Sequence, residues 1–200
     1  PAAVARRMGA RRIVDDRLIA AGRRVEMEAS ARNPYLQVTA TSDGWWYRTD
    51  GAAVDVVALA DPRLQSGRPS ALLNHLRGLV RCAYGASPVD VPVMFQDASS
   101  SRLQRCAADG WLAVGDAAAA FDPICGQGLA QALGSALVAA HALRERADGS
   151  TNAFAAYDRA VQATYRHSRA QLRLRYAFVA RTERTPFWLA RARAAEVLSA

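Results

Sequence analysis

Residues able to hold a polar cofactor cluster in one short run, Gly110–Leu129, which reads GWLAVGDAAAAFDPICGQGL. Gly115 ends an apolar stretch, Trp111–Val114, at a point where a side chain would obstruct the turn or a ligand. Asp116 follows with a carboxylate that can accept hydrogen bonds from sugar-alcohol hydroxyls. It sits at the strand end, where open α/β sheets bind their ligands. Ala117–Ala120 add no bulk against an approaching cofactor. Pro123 stiffens the next loop, and Gly126 and Gly128 leave peptide N–H groups uncovered around Gln127. Those donors fall at the start of a helix, where the macrodipole concentrates roughly half a positive charge. A reduced flavin carries negative charge on its pyrimidine edge, which oriented amides would stabilise without a titratable group.

These residues resemble the second FAD fingerprint of the flavoprotein monooxygenase superfamily, a Gly-Asp followed by Pro and a Gly-x-Gly helix start. The halogenase-like branch, which includes monooxygenases of amino acids and peptides, tends to carry a GDAA…DP…GQG pattern, matched from Gly115 to Gly128. Asp43-Gly44-Trp45-Trp46-Tyr47 is similar to a strand of that branch's substrate-domain sheet. Thr185-Pro186-Phe187-Trp188 is similar to a stretch of its C-terminal helical region. The resemblance implies bound FAD, with Asp116 on the ribityl chain and Gly126, Gln127 and Gly128 along the isoalloxazine ring. It further implies a small-molecule or amino-acid-derived substrate, with electrons from NAD(P)H or a separate flavin reductase. Ala119 departs from the His that aromatic hydroxylases often carry there, and Cys125 stands where a small residue is common. The chain has no Gly-x-Gly-x-x-Gly after a strand, no halogenase tryptophan motif and no lysine.

Elements must position this run. Arg23–Ala29, Tyr35–Thr41, Trp45–Thr49 and Val54–Ala60 read as strands of an antiparallel meander. Asn33-Pro34, Ser42-Asp43-Gly44 and Asp50-Gly51 supply the turns, Asp50-Gly51 most strongly. Ser70 can cap a helix carrying Leu72, Leu73, Leu76, Leu79 and Val80 on one face, and Val93–Ala98 reads as another strand. Trp111–Val114 reads as a strand buried on both faces. Leu129, Leu133, Leu137 and Ala140 recur at helical spacing, with Ala132, Gly134, Ser135 and Ala136 keeping the helix slim. A longer helix is expected over about 152–181.

The predicted class is α+β or α/β: the C-terminal part of an FAD-binding Rossmann-like domain, with an antiparallel substrate-domain sheet and a C-terminal helical segment. The expected division is 1–107 for the sheet with one helix, 108–146 for the flavin-facing strand and helix, and 147–200 for a helical cap. Trp45, Trp46 and Tyr47 are candidates for a substrate pocket, although plain sheet packing accounts for most such aromatics. Phe187 and Trp188 are expected to pin the last helix.

The net charge of +8 comes entirely from arginine, as the chain contains no lysine. The dense arginines from Arg144 to Arg193 lie between apolar residues at helical spacing, which is expected of a solvated face rather than a nucleic-acid surface. No apolar run is long enough for a membrane span. Cys82, Cys106 and Cys125 form no CxxC pair and His75, His141 and His167 show no metal spacing, so a metal-free protein of the reducing cytoplasm is expected.

No residue reads as a general acid or base, so no catalytic residue is assigned. The reading is an FAD-dependent oxidoreductase, chiefly a monooxygenase, of which this chain alone, with half a cofactor site, should be inactive. Alternatives within the class are a halogenase or a reductase of isoprenoid double bonds. From another class, a non-catalytic remnant or binding module remains open.

Overall fold

A computed structural model describes residues 3–25, 36–50, 54–64, 78 and 94–193. In chain order the elements are α1 (Ala3–Arg7), β1 (Arg12–Val14), β2 (Ile19–Val25), β3 (Gln37–Thr41), β4 (Gly44–Asp50) and β5 (Val54–Ala60). Then follow β6 (Met94–Asp97), β7 (Ser101–Leu103), β8 (Ala107–Ala108), β9 (Trp111–Leu112) and β10 (Ala119–Ala120). Three helices complete the fold: α2 (Gly128–Ala147), α3 (Ala153–Val179) and α4 (Pro186–Arg193). Strand-rich and helix-rich stretches thus segregate as an α+β chain, with antiparallel sheets and C-terminal helices. The expected helix starting at Ser70, the Asn33-Pro34 turn and the structure of Gly51 lie outside the described residues.

Two compact units emerge, each assembled from separated stretches. One comprises Arg17–Ala98 with Arg173–Ala200, the other Pro1–Asp16 with Ser99–Leu172.

In the first, β2 to β6 form an antiparallel sheet in the order β3-β4-β5-β2-β6. Thr41 pairs with Gly44 across a two-residue turn at Ser42-Asp43, which fixes the β3–β4 register. Gly44 is required there for space, because a Cβ would lie 2.0 Å from the Leu59 carbonyl oxygen. Alternation places Trp45 and Tyr47 on one face, their rings 6.0 Å apart, and Trp46 on the other. Strand β5, VDVVALA, lies mid-sheet and buries Val56, Ala58, Leu59 and Ala60. Pro186 opens α4, where a missing N–H costs nothing. Phe187 and Trp188 are fully buried, with rings 5.1 Å apart edge to face. Trp188 Nε1 donates to the Thr41 carbonyl at 2.7 Å, and the Thr185 hydroxyl donates to that of Ser42. These two bonds tie α4 to the β3–β4 turn.

The second unit has a three-stranded antiparallel sheet, β1-β7-β10, and a short β8–β9 hairpin. Its core joins Leu103, Cys106, Ala113, Ala118 and Ala119 to Ala139 and Ala142 of α2 and to Tyr157, Val161 and Tyr165 of α3. The abundance of alanine allows backbones to approach closely. Arg102 donates to Gln162 Oε1 at 3.0 Å, and Gln162 donates to the Leu103 carbonyl at 2.9 Å, stitching α3 to β7.

The basic tail is not uniformly solvated. Arg169 donates to Asp16 at 2.5 Å and to Ser100 Oγ at 3.1 Å, while the Ser100 amide donates to Asp16 at 2.8 Å. Burial opposes the charge of Arg169, but the neighbouring Asp16, Tyr165 and Asp15 together outweigh it and raise the guanidinium pKa. Arg191, within the first unit, is buried beside Phe187 and Tyr176 and donates to the Arg17 carbonyl at 2.7 Å. Both residues occupy helix positions facing a neighbour, a fact that local spacing does not encode. Most other arginines between 144 and 193 are exposed, as expected.

Two further expectations need correction. Only Trp111–Leu112 forms strand, paired on one side with β8, and Val114 is exposed. Among the described residues nothing flanks this run as a central strand is flanked. The leucine stripe does lie on a helix, yet Leu129, Leu133 and Leu137 are 76%, 61% and 75% exposed. The inward face of α2 is instead the Ala139–Ala142 side.

Replacing Gly44 with Ala should lower the thermal midpoint by an amount equivalent to about 1–3 kcal/mol, since the Leu59 backbone must move. A midpoint matching wild type would contradict the close approach. The Cys106 thiol is pushed up from 9.0 to about 12, first by burial and then by Asp158, whose carboxylate accepts from the Cys106 amide at 2.7 Å. Above pH 9 the unfolded chain releases this proton and the folded one keeps it. Stability should therefore fall as pH rises from 9 toward 12, by up to about 1.4 kcal/mol per pH unit from this group. Denaturation midpoints between pH 8 and 11 should fall more steeply for wild type than for Cys106→Ala; parallel slopes would contradict this.

Candidate functional site

Gly115, Asp116, Pro123, Gly126, Gln127 and Gly128 all lie in the unit formed by Pro1–Asp16 and Ser99–Leu172. After β9 the chain enters a 3-10 turn, Gly115–Ala117, with Gly115 at φ +55°. A Cβ at Gly115 would also meet Ala132 Cβ of α2 at 3.2 Å, so this glycine serves both turn and packing. Slimness of α2 is used at this point. Ser135 accepts from the Gly115 amide at 2.9 Å and donates to the Ala132 carbonyl at 2.9 Å.

The backbone on either side is held by distant side chains. Tyr157 donates to the Ala113 carbonyl at 2.6 Å. Arg12 of β1 donates to the Asp116 carbonyl at 2.9 Å, the Ala117 carbonyl at 3.1 Å and Ser101 Oγ at 3.1 Å. The Asp116 side chain is exposed, and no donor among the described residues meets its carboxylate. Ala118 and Ala119, by contrast, are buried in the core rather than turned to an open face. The chain dives inward there so that β10 can pair with β7.

Asp122 then accepts from the Ile124 amide at 3.0 Å, Pro123–Cys125 forms a second 3-10 turn, and Gly126 closes it at φ +62°. Asp122 thus shapes the loop. One sequence expectation shifts by a residue: the Gly126 amide is not uncovered, since it donates to the Pro123 carbonyl at 2.9 Å. A left-handed cap turns its N–H back into the loop. The first helical bond of α2 runs from Gln131 to the Gln127 carbonyl. The amides of Gln127, Gly128, Leu129 and Ala130 consequently have no acceptor among the described residues. The Gln127 side chain turns aside and accepts from the Ser168 hydroxyl at 3.4 Å.

Space remains next to these donors: a Cβ on Gly126 or Gly128 would meet nothing within 4 Å. Unbonded amides at a helix start, an unpaired carboxylate one turn upstream and open ground between glycines suit a ligand bearing both hydroxyls and negative charge. That is the donor and acceptor set a flavin needs, and the residues present fit the group. A cavity of about 210 Å³ lies behind Gly115, bordered by α2 and α3 through Ser135, Val138, Val161 and Thr164. Of the candidate residues Gly115 alone lines it; Asp116, Pro123, Gly126, Gln127 and Gly128 do not.

Residues 79–199 match the family model described as tryptophan halogenase. The chain belongs to the tryptophan halogenase family. Among solved structures it is similar to CmlS, a flavin-dependent halogenase, with 24% identity and a TM-score of 0.77 over 94% of this chain and 38% of that one. BrvH, a flavin-dependent halogenase from Brevundimonas sp. BAL3, gives a TM-score of 0.79 at 16% identity over 98% of this chain and 40% of that one. QhpG, a peptidyl tryptophan dihydroxylase, gives 0.72 at 22% identity over 90% and 44%. A curated relative, LodB of Marinomonas mediterranea, provisionally named an FAD-dependent oxidoreductase, is 23% identical over 145 residues. That match covers 68% of this chain and 39% of LodB. The chain therefore spans about two fifths of the length of such relatives.

Trp45 and Trp46 are buried and Tyr47 half-buried, all within the five-stranded sheet. Trp45 Nε1 and Thr41 Oγ1 are buried without a hydrogen-bond partner among the described residues. Arg12, Ser135 and Tyr157 were not anticipated from the sequence. No local pattern marks an arginine in β1 as the partner of carbonyls more than a hundred residues later. Ser135 carried only the hint of its small size.

Gly115→Ala should cost about 1–3 kcal/mol, because a left-handed φ and the Ala132 contact add. Thermal melts would check it, and an unchanged midpoint would mean the turn is not held as described.

Proposed function

We propose that this chain forms the flavin-facing part of an FAD-dependent oxidoreductase whose main activity is monooxygenation of an amino-acid-derived or other small organic substrate. The observation that carries this reading is the set of unbonded amides from Gln127 to Ala130 together with the exposed, unpaired Asp116 carboxylate, at the two ends of the Gly115–Gly128 fingerprint. When bound, the flavin would supply the electron exchange with dioxygen that such oxidations need. The residues of this chain bind and orient. Asp116 would accept from ribityl hydroxyls, and the Gln127–Ala130 amides would face the pyrimidine edge, favouring negative charge there. The buried side chains behind the Gly115 turn would keep the donors fixed as that charge develops.

Similarity to LodB and to QhpG supports the oxidoreductase reading. Halogenation is the second reading, favoured by the family itself and by CmlS and BrvH. Product analysis in the presence and absence of chloride or bromide separates the two. In this proposal 1–107 contributes the substrate sheet, with Trp45, Trp46 and Tyr47 as pocket candidates. Residues 108–146 contribute the flavin contacts, and 147–200 the helical segment. A separate flavin reductase or NAD(P)H would deliver electrons. No described helix is long and apolar enough to cross a membrane. The buried Cys106, a free thiol, supports a reducing, cytoplasmic setting.

The full-length protein should purify with flavin absorbance, and Asp116→Ala should weaken FAD retention by about tenfold or more, as loss of charge-assisted bonds predicts. Equilibrium dialysis against FAD reads this directly. Undiminished occupancy in the variant would remove Asp116 from the site, and a wild-type protein that never takes up flavin would remove the function.

A further inference from the structure

We propose that Arg12 is the positioning residue of the cofactor site, acting on FAD through Asp116 without touching it. This inference rests on the FAD reading above.

The argument begins with unmet backbone groups. Where β9 ends and the 3-10 turn begins, the chain leaves its strand ladder before any helix can supply partners, so each carbonyl needs one from elsewhere. The Asp116 and Ala117 carbonyls receive theirs from two nitrogens of one guanidinium, at 2.9 and 3.1 Å. The third, Nε, is anchored at 3.1 Å on Ser101 Oγ, in the strand paired with both β1 and β10. A planar, fully charged fork held at three points fixes the orientation of the peptide that carries Asp116. The carboxylate itself makes no bond among the described residues. Its direction is therefore set by the peptide beneath it rather than by a partner of its own.

Ser135 holds the opposite side of the same turn through the Gly115 amide. With that amide fixed, removal of Arg12 frees rotation mainly at Asp116 and Ala117. Arg12 thus controls where the carboxylate points, while the loop that presents the α2 amides keeps its own bonds, from the Ile124 amide to Asp122 and from the Gly126 amide to the Pro123 carbonyl. An ammonium at this position would keep the charge but could not reproduce the fork.

A double-variant cycle on FAD affinity in the full-length protein tests this, with the thermal midpoint of each FAD-free variant measured alongside. Arg12→Ala is expected to weaken FAD binding by about tenfold, and Arg12→Lys by less, as loss of one or more charge-assisted bonds predicts. The deciding measurement is the double variant Arg12→Ala/Asp116→Ala. It should bind FAD within about twofold of Asp116→Ala alone, because residues that act as a unit are not additive. A role confined to general stability would lower the melting midpoint and multiply the two affinity losses. Arg12→Ala binding that matches wild type, or losses that multiply in the double variant, would overturn the proposal while leaving the FAD reading intact. If Arg12→Ala does not fold, the same cycle run with Arg12→Lys gives the same two outcomes. Absence of FAD binding in wild type would instead overturn the reading on which the proposal rests.

Discussion

A strand that breaks off into a 3-10 turn strands its own peptide groups, and the second unit is organised around satisfying them. Between Ala113 and Ala117 the groups find partners on β1, α2 and α3: Arg12, Ser135 and Tyr157. Each partner approaches from a different element, so the turn is over-determined, and a buried peptide group left without a partner would cost about 1–3 kcal/mol. The alanine-rich core follows from this constraint. Large side chains at Ala118, Ala119 or Ala132 would hold the elements too far apart for short side chains such as serine to reach the turn.

The donors and acceptors then sort into two kinds. Those inside the loop are spent on the loop: the Ile124 and Gly126 amides on Asp122 and Pro123. Those at its outer edge, from Gln127 to Ala130, are left over, as is the Asp116 carboxylate. Preorganisation of this kind means that polar groups need not move to meet a developing charge. The same economy appears in the buried charges. Asp16 and Asp61 lie inside their units with arginine partners, Arg169 and Arg63, so neither carboxylate is isolated from positive charge.

Much of the site was legible because it is local. The GDAA…DP…GQG order needs only near neighbours in sequence to turn, stiffen and start a helix, so residue types encode it directly. The β3–β5 strands and the Ser42-Asp43 turn were legible for the same reason, their alternation and turn chemistry being short-range. What escaped depends on distance. Arg12 sits in a run of arginines with nothing to distinguish it, and its partners lie at the far side of a sheet. Arg169 and Arg191 look like any solvated helix arginine until the facing element is known. Val114 reads as core by composition, and its exposure depends on what pairs beside it rather than on its own side chain. The Gly126 amide was misjudged because left-handed backbone points it inward, a detail that residue type permits but does not specify.

The outward leucines of α2 have a practical corollary for anyone handling the 200 residues in isolation. Leu129, Leu133 and Leu137 recur one turn apart on open surface and form an oily ridge beside the very amides expected to greet a cofactor. Ridges of that sort make molecules adhere to one another and to any flat aromatic dye. In a dilute preparation of this stretch alone, a change in flavin fluorescence would therefore report stickiness as readily as recognition, and particle size has to be known before such a signal carries meaning.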